Sequence, residues 1–383
     1  MKHSDASERG PRQAALLRDA KRIVVKIGSA LLVQEERGAI RYDWLESLAE
    51  DLSQGAAGGQ ELIVVSSGAI AVGQGLLALP RRRLKLEEKQ AAAAAGQIRL
   101  AHAYQEALAR HGITVAQVLL TLEDTEARRR HLNARNTLNT LLKHRALPVI
   151  NENDTVATSE IRVGDNDRLA ARVAVMMNAD ALILLSDIDG LYSADPKLNP
   201  GALHLPLVEQ LTPEIEAMAG EALPGVSTGG MITKLAAARI AVAGGCRMAI
   251  ANGTDHHPLR NILEGGRCTW FLSDVEPRAA RKSWIAGSLR PAGALLLDEG
   301  ALRALKNGRS LLPAGVRAVE GDFQRGDAVI LRDREGREVA RGLSAYSAGD
   351  ARRIIGHNSR DIERILGYRG REELIHRDDL VLS

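Results

Sequence analysis

Six short apolar runs, rich in Val, Ile and Leu, punctuate the first two thirds of this 383-residue chain: Ile23–Gly28, Leu62–Gly68, Val115–Thr121, Leu147–Ile150, Ala181–Asp187 and Met248–Ala251. Each gives way to small or polar residues, among them Gly28-Ser29, Ser66-Ser67-Gly68, Asn151, Ser186-Asp187 and Asn252-Gly253. Helical patterns separate most of the runs. Uninterrupted apolar strands alternating with helices predict an α/β fold, an open and mostly parallel sheet flanked by helices on both faces. In such sheets ligands bind outside the carboxyl ends of the strands. The polar residues that close the runs all fall at that edge.

The helices are read from periodicity. Trp44, Leu45, Leu48 and Leu52 share one helical face, Gln90–His111 is Ala-rich, and further helices are expected over Asp124–Lys143 and Leu169–Met177. The Gly-rich stretch Thr228–Lys234 opens another, running to Val242. Pro80–Lys89 is a charged connector. Gly73 to Ala78 matches GxGxxA on paper but does not directly follow a strand, so it is not taken as a dinucleotide fingerprint. Composition shifts near Ser273–Lys282. Beyond it, short segments with frequent Gly and charge predict a small β-rich domain over 283–357, with 274–282 as linker and 358–383 as a tail holding one helix, Ile362–Leu366. Residues 1–20 are polar and charged, and are expected to be a flexible extension before a catalytic domain over 21–273.

Bulk properties exclude several classes. No apolar run is long enough for a transmembrane helix, and residues 1–20 lack the apolar stretch of a signal peptide. Two cysteines, Cys246 and Cys268, without CxxC spacing, argue against a disulfide scaffold or a zinc site and fit a reducing cytoplasm. The net charge of +3 is too small to demand a polyanion partner, and 3% aromatics disfavours a base-stacking platform.

The most informative edge is Val149–Ala171. Its strand runs into Asn151-Glu152-Asn153-Asp154, and Gly164-Asp165-Asn166-Asp167 follows before the next helix. So many carboxylates in one place need a cation among them, a metal ion or a substrate ammonium. Elsewhere on the same edge stand Lys26, inside an otherwise apolar strand, and Lys234, each beside a Gly-rich turn that suits phosphate oxygens. Lysines for phosphate and carboxylates for a cation together suit phosphoryl transfer, which requires positioning and charge neutralisation. There is no GxxxxGK[ST] loop, no protein-kinase signature and no GxSxG elbow.

The segments VVKIGS (Val24–Ser29), VVSSGAIAVG (Val64–Gly73), VINENDTVAT (Val149–Thr158), VGDND (Val163–Asp167), LLSDIDGLYSADP (Leu184–Pro196) and TGGMITK (Thr228–Lys234) resemble, in order, the amino acid kinase family. The NEND…VGDND pair resembles the branch that phosphorylates the γ-carboxylate of L-glutamate. LLLDEGA (Leu295–Ala301), SLLPAGV (Ser310–Val316) and GDFQRGD (Gly321–Asp327) resemble a PUA domain. The resemblance implies ATP as substrate, with Mg²⁺ carried on the nucleotide and no metal ligands of the protein's own. It implies Lys26, Lys234 and Asp167 as catalytic. For ATP it implies Lys26, Gly28, Ser29, Ser186, Asp187, Thr228, Gly229, Gly230, Met231, Ile232, Thr233 and Lys234. For glutamate it implies Ser67, Asn151, Asp154, Asp165 and Asn166. It further implies a cytoplasmic homo-oligomer inhibited by proline and placed at the first step of proline biosynthesis, with a glutamyl phosphate reductase as a possible partner.

Two other readings compete. An RNA-binding protein would rest on the PUA-like segment and on Arg332, Arg334 and Arg337. A kinase for acetylglutamate is disfavoured by Asp154 and Asp165, because an acetylated amine carries no positive charge.

Overall fold

The computed structural model describes residues 6–34, 38–80, 82, 84–156, 165–219, 230–277, 279–280, 282 and 291–382. The chain divides into two compact units. The first comprises Met1–Glu126 and Ala134–Pro277, and the second Ala127–Asn133 and Arg278–Ser383.

Strands of the first unit are β1 (Arg22–Ile27), β2 (Val33–Gln34), β3 (Ala39–Ile40), β4 (Glu61–Val65), β5 (Val115–Leu120), β6 (Leu147–Glu152), β7 (Ala181–Ser186), β8 (Leu191–Tyr192), β9 (His204–Leu205), β10 (Leu207–Val208), β11 (Arg247–Asn252) and β12 (Cys268–Phe271). Its helices are α1 (Ala6–Arg18), α2 (Ser29–Leu32), α3 (Tyr42–Ala57), α4 (Ala69–Leu76), α5 (Leu86–Ala109), α6 (Leu122–Glu126), α8 (Asp165–Met176), α9 (Pro213–Ala217), α10 (Met231–Ala243) and α11 (Pro258–Leu263). A further helix is α7 (Arg128–Lys143).

One eight-stranded sheet, ordered β10-β12-β11-β7-β1-β4-β6-β5, forms the centre. All its pairings are parallel except β11 with β12. The expected open, mostly parallel sheet is therefore present, with the six expected strands forming a contiguous block and the short β10 and β12 added beyond β11.

Strand alternation explains the two cores. Ile23, Val25 and Ile27 of β1 join Leu62 and Val64 of β4 and Val149 of β6 in a core that includes α3 and α5 residues. Val24, Ile63, Val65 and Ile150 point the other way, into a core built with α8 and α10. Lys26 shares the parity of Val24 and so faces α8 and α10. Asn151 shares the parity of Val149 and faces α5.

Helices α4 and α5 touch backbone to backbone. A Cβ on Gly73 would fall 1.7 Å from the Ala92 carbonyl oxygen, and one on Gly96 would fall 1.9 Å from the Ala69 carbonyl oxygen. The use of Gly73 is thus helix contact, in keeping with rejecting GxGxxA. Two expectations change. Residues 6–18 form a helix, with Ala14 and Leu17 buried and Gln60 Nε2 donating to the Ala20 carbonyl at 2.9 Å, so the extension is tied to the core over its described part. Helix α8 starts at Asp165, a full turn before Leu169.

The second unit holds a five-stranded sheet of β13 (Gly293–Leu297), β14 (Val316–Gly321), β15 (Ala328–Arg332), β16 (Glu338–Leu343) and β17 (Leu380–Leu382), ordered β14-β13-β15-β16-β17. Its helices are α12 (Glu299–Lys306), α13 (Ala348–Ile354) and α14 (Ile362–Leu366). The Asp298 carboxylate accepts from the Ala301 N–H at 2.8 Å and so caps α12. The expected tail beyond Gly356 belongs to this fold: Ile362, Leu374, Ile375 and Leu380 are buried in the same core as Leu295 and Val329, and β17 completes the sheet.

Candidate active site

At the carboxyl edge of the parallel strands, Lys26 near the end of β1 and Lys234 in the first turn of α10 converge on Asp167 in the first turn of α8. Lys26 Nζ lies 2.5 Å from Asp167 Oδ1 and Lys234 Nζ 3.6 Å from Oδ2. Thr233 Oγ1 donates to Oδ2 at 3.0 Å. Asp167 is 1% exposed, Lys26 8% and Lys234 7%. Burial alone would push the Asp167 carboxyl up; the Lys26 and Lys234 ammoniums outweigh it and hold the carboxyl below its ordinary range. One carboxylate against two ammoniums leaves net positive charge in a place shielded from water. Such charge needs an anion.

Turns containing Gly and Ser lie beside it in the chain. Gly28 precedes the short helix α2, and its N–H is held by the Leu185 carbonyl at 3.2 Å. Ser186 Oγ donates to Asp187 Oδ1 at 3.0 Å at the end of β7, and the Ser186 carbonyl accepts from the Gly253 N–H at 2.8 Å. Gly230 precedes α10, Met231 and Thr233 are half-buried, and Ile232 is exposed. Ser29 is exposed at the start of α2. Thr228, Gly229 and the Asp165 side chain lie outside the described residues.

A second group occupies the neighbouring strand ends. Asn166, next to Asp167, donates from Nδ2 to Ser67 Oγ at 3.0 Å and to Asn151 Oδ1 at 3.2 Å. Asn166 Oδ1 is a buried acceptor with no hydrogen-bond partner among the described residues. Asp154 is buried on the short turn after β6. Behind Ser67, Gly68 takes a left-handed backbone (φ 101°), and a Cβ there would fall 2.9 Å from Val33 Cγ2. The structure thus brings Lys26, Asp167, Thr233 and Lys234 together in one cluster and Ser67, Asn151 and Asn166 in a second, joined through α8.

Three supporting residues carry no signal in the sequence. Gln97 on α5 accepts from Asn151 Nδ2 at 2.7 Å. Tyr104, whose hydroxyl burial pushes up, sits 3.0 Å from Ser66 Oγ. Trp44 Nε1 donates to the Gly253 carbonyl at 2.7 Å, and Gly253 packs so tightly that a Cβ would fall 2.6 Å from Leu31 Cδ1. A lone Gln in an Ala-rich helix and a Trp on an apolar helix face read as ordinary surface and core.

In the second unit, Arg332, Arg334 and Arg337 are each paired locally, with Glu320 (3.1 Å), Glu299 (3.6 Å) and Asp333 (2.8 Å). Their charge is offset in place, which weakens the argument for a polyanion face.

Comparison with known proteins identifies the family of each unit. The amino acid kinase family model matches residues 21–252, and the PUA domain model matches 293–366. A glutamate 5-kinase of Paramagnetospirillum magneticum is 65% identical over 364 residues, covering 95% of this chain and 98% of that protein. Glutamate 5-kinases of Rhodospirillum rubrum (63% identical, 94% and 96% covered) and Bradyrhizobium diazoefficiens (58%, 95% and 97%) are similar over the same extent.

Proposed function

The chain belongs to the amino acid kinase family, among its glutamate 5-kinases, and from that premise we propose how the sheet edge phosphorylates glutamate and which residues do it. The single observation that carries the assignment is the Lys26–Asp167–Lys234 cluster beside the Ser67 hydroxyl and the Asn151 and Asn166 amides.

In this reading an oxygen of the L-glutamate γ-carboxylate attacks the γ-phosphorus of ATP. The new O–P bond forms as the bond to the β,γ-bridging oxygen breaks, giving L-glutamyl 5-phosphate and ADP. The nucleophile is already ionised at neutral pH, so no general base is needed. What opposes reaction is repulsion between two anions and charge spreading onto the transferring group. Lys26 and Lys234 offset both, with Asp167 fixing their directions before the substrates arrive. Ser29 and the N-terminus of α10, from Gly230 through Met231, Ile232, Thr233 and Lys234, hold phosphate oxygens, with Gly28 giving them close approach to the backbone and Thr228 and Gly229 preceding α10 in the chain. Ser186 and Asp187 line the nucleotide side. Ser67, Asn151, Asp154 and Asn166, with Asp165, hold the amino acid, and the Asp154 carboxylate suits its α-ammonium.

ATP is the phosphoryl donor. Both Asp167 oxygens are engaged by Lys26, Lys234 and Thr233, and the described residues hold no group of three or more His, Cys, Asp or Glu placed for a metal. In this reading Mg²⁺ would arrive on the nucleotide, where it would neutralise phosphate charge.

The acyl phosphate product is labile, and a reductase that consumes it is the natural partner class. In this reading the chain takes the first step of proline biosynthesis, with proline as feedback inhibitor and a cytoplasmic homo-oligomer as the working form. Consistent with this setting, both cysteines are buried and free, and no described helix is long and apolar enough to cross a membrane. The test is ADP release measured with glutamate, N-acetylglutamate, aspartate and carbamate in parallel. Turnover with glutamate alone is expected; equal turnover with N-acetylglutamate would overturn the substrate assignment.

A further inference from the structure

The amides behind the substrate group form a chain whose direction is set around Asn151, by the Glu152 N–H on one side and Gln97 on the other. The Glu152 backbone N–H donates to Asn151 Oδ1 at 2.9 Å. A backbone N–H cannot accept, so Asn151 must turn its oxygen that way and its Nδ2 the other way. There Nδ2 meets Gln97 Oε1 at 2.7 Å. Asn151 is 2% exposed and Gln97 9%, so no bulk water can substitute for either partner. Asn166 must then present hydrogens to the Asn151 oxygen, which it does at 3.2 Å while also donating to Ser67 Oγ at 3.0 Å. Both Asn166 amide hydrogens are thereby used on protein atoms. Its oxygen is left as a buried acceptor without a partner among the described residues.

We propose that Gln97 is a specificity-determining positioning residue: acting through Asn151, it holds the Asn166 amide with its oxygen outward, toward the α-ammonium of the amino acid substrate. The inference rests on the reading above that Ser67, Asn151 and Asn166 hold glutamate. An outward amide oxygen complements a donor. It favours an amino acid over the same dicarboxylate without its amine, because glutarate offers no hydrogen to that acceptor. Were the amide reversed, its NH₂ would confront the ammonium, and the preference would fall.

The experiment compares Gln97→Leu, Gln97→Glu and Asn166→Ala with the unaltered chain, measuring KM for glutamate, KM for ATP and inhibition by glutarate. Gln97→Leu keeps the bulk but removes the acceptor. It should raise the glutamate KM about tenfold, the scale of one hydrogen bond to a charged group. The ATP KM and the glutarate inhibition constant should stay within about twofold, because one site is unaltered and the other ligand lacks the amine. Gln97→Glu, which can still accept from Asn151 Nδ2, should recover most of the loss. A merely structural role for Gln97 would move all three constants together or leave Gln97→Glu as impaired as Gln97→Leu, and either result overturns the proposal. If Asn166→Ala raises the glutamate KM while Gln97→Leu does not, the polarity relay alone is wrong. If Asn166→Ala leaves the glutamate KM unchanged, the substrate-site reading fails with it.

Discussion

Lys26 Nζ stands 2.5 Å from Asp167 Oδ1, a distance at which each buried charge depends on the other for solvation. Lys234 approaches the same carboxylate only to 3.6 Å. Lys26 is therefore the main structural partner. Lys26→Ala should destabilise the first unit by about 3 kcal/mol, the usual result of stranding a buried charge. Lys234→Ala should lower stability less. Urea unfolding of both variants decides it, and equal losses would contradict the ordering.

Turnover should not follow that ordering. Both lysines face the transferring group in the proposed mechanism, so Lys26→Ala and Lys234→Ala should each reduce kcat by about a hundredfold or more. Near-normal kcat in a folded Lys234→Ala protein would remove Lys234 from the chemistry.

Asp167 also makes a prediction about acid. Its carboxyl titrates below the ordinary range in the folded protein because the two ammoniums outweigh burial. A group depressed on folding contributes stability that is fully present above its unfolded value, about 4, and is lost as pH falls toward its folded value. Melting temperature followed from pH 7 to pH 3 should drop more steeply for the unaltered protein than for Asp167→Asn. Parallel curves would show that this carboxylate is not a source of the acid sensitivity.

Asp154→Ala should raise the glutamate KM by tenfold or more while changing the ATP KM little, since a buried carboxylate is being removed from the proposed ammonium subsite. A matched rise in both constants would place Asp154 outside it.

Trp44→Phe tests the nucleotide side. The ring stays, but the donor that grips the Gly253 carbonyl is lost. Gly253 in turn packs against Leu31 of α2 and hydrogen-bonds the Ser186 carbonyl. The expected outcome is an ATP KM raised about threefold to tenfold with the glutamate KM unchanged, in keeping with one displaced contact. A change confined to glutamate would disprove the connection.

Much of this was legible in the residues. The six apolar runs gave the strands because a sheet buried on both faces leaves no polar positions to blur them. Lys26 stood out because a lysine there requires a partner, and only the fold could say that the partner is Asp167. Strands β10 and β12 went unread because two and four residues are too few for a period. Asp165, Asn166 and Asp167 look like loop in the sequence and point to a later start for α8, yet such residues favour the first turn of a helix. Charge dominates residues 6–18 and hides their anchorage, which rests on Ala14, Leu17 and the distant Gln60. Gln97 had no signature at all: its importance lies in the direction of hydrogen bonds.

The contact of Gly73 with Ala92 and of Gly96 with Ala69 bears on how such an enzyme could be retargeted. With main chain against main chain there is no side-chain cushion to compress, so the two helices have one register. Gln97, the neighbour of Gly96, is delivered to a fixed height beside Asn151. A designer seeking another amino acid substrate cannot gain room by sliding this pair. The adjustable parts are the amides and the hydroxyl that line the site, and the scaffold behind them acts as a ruler.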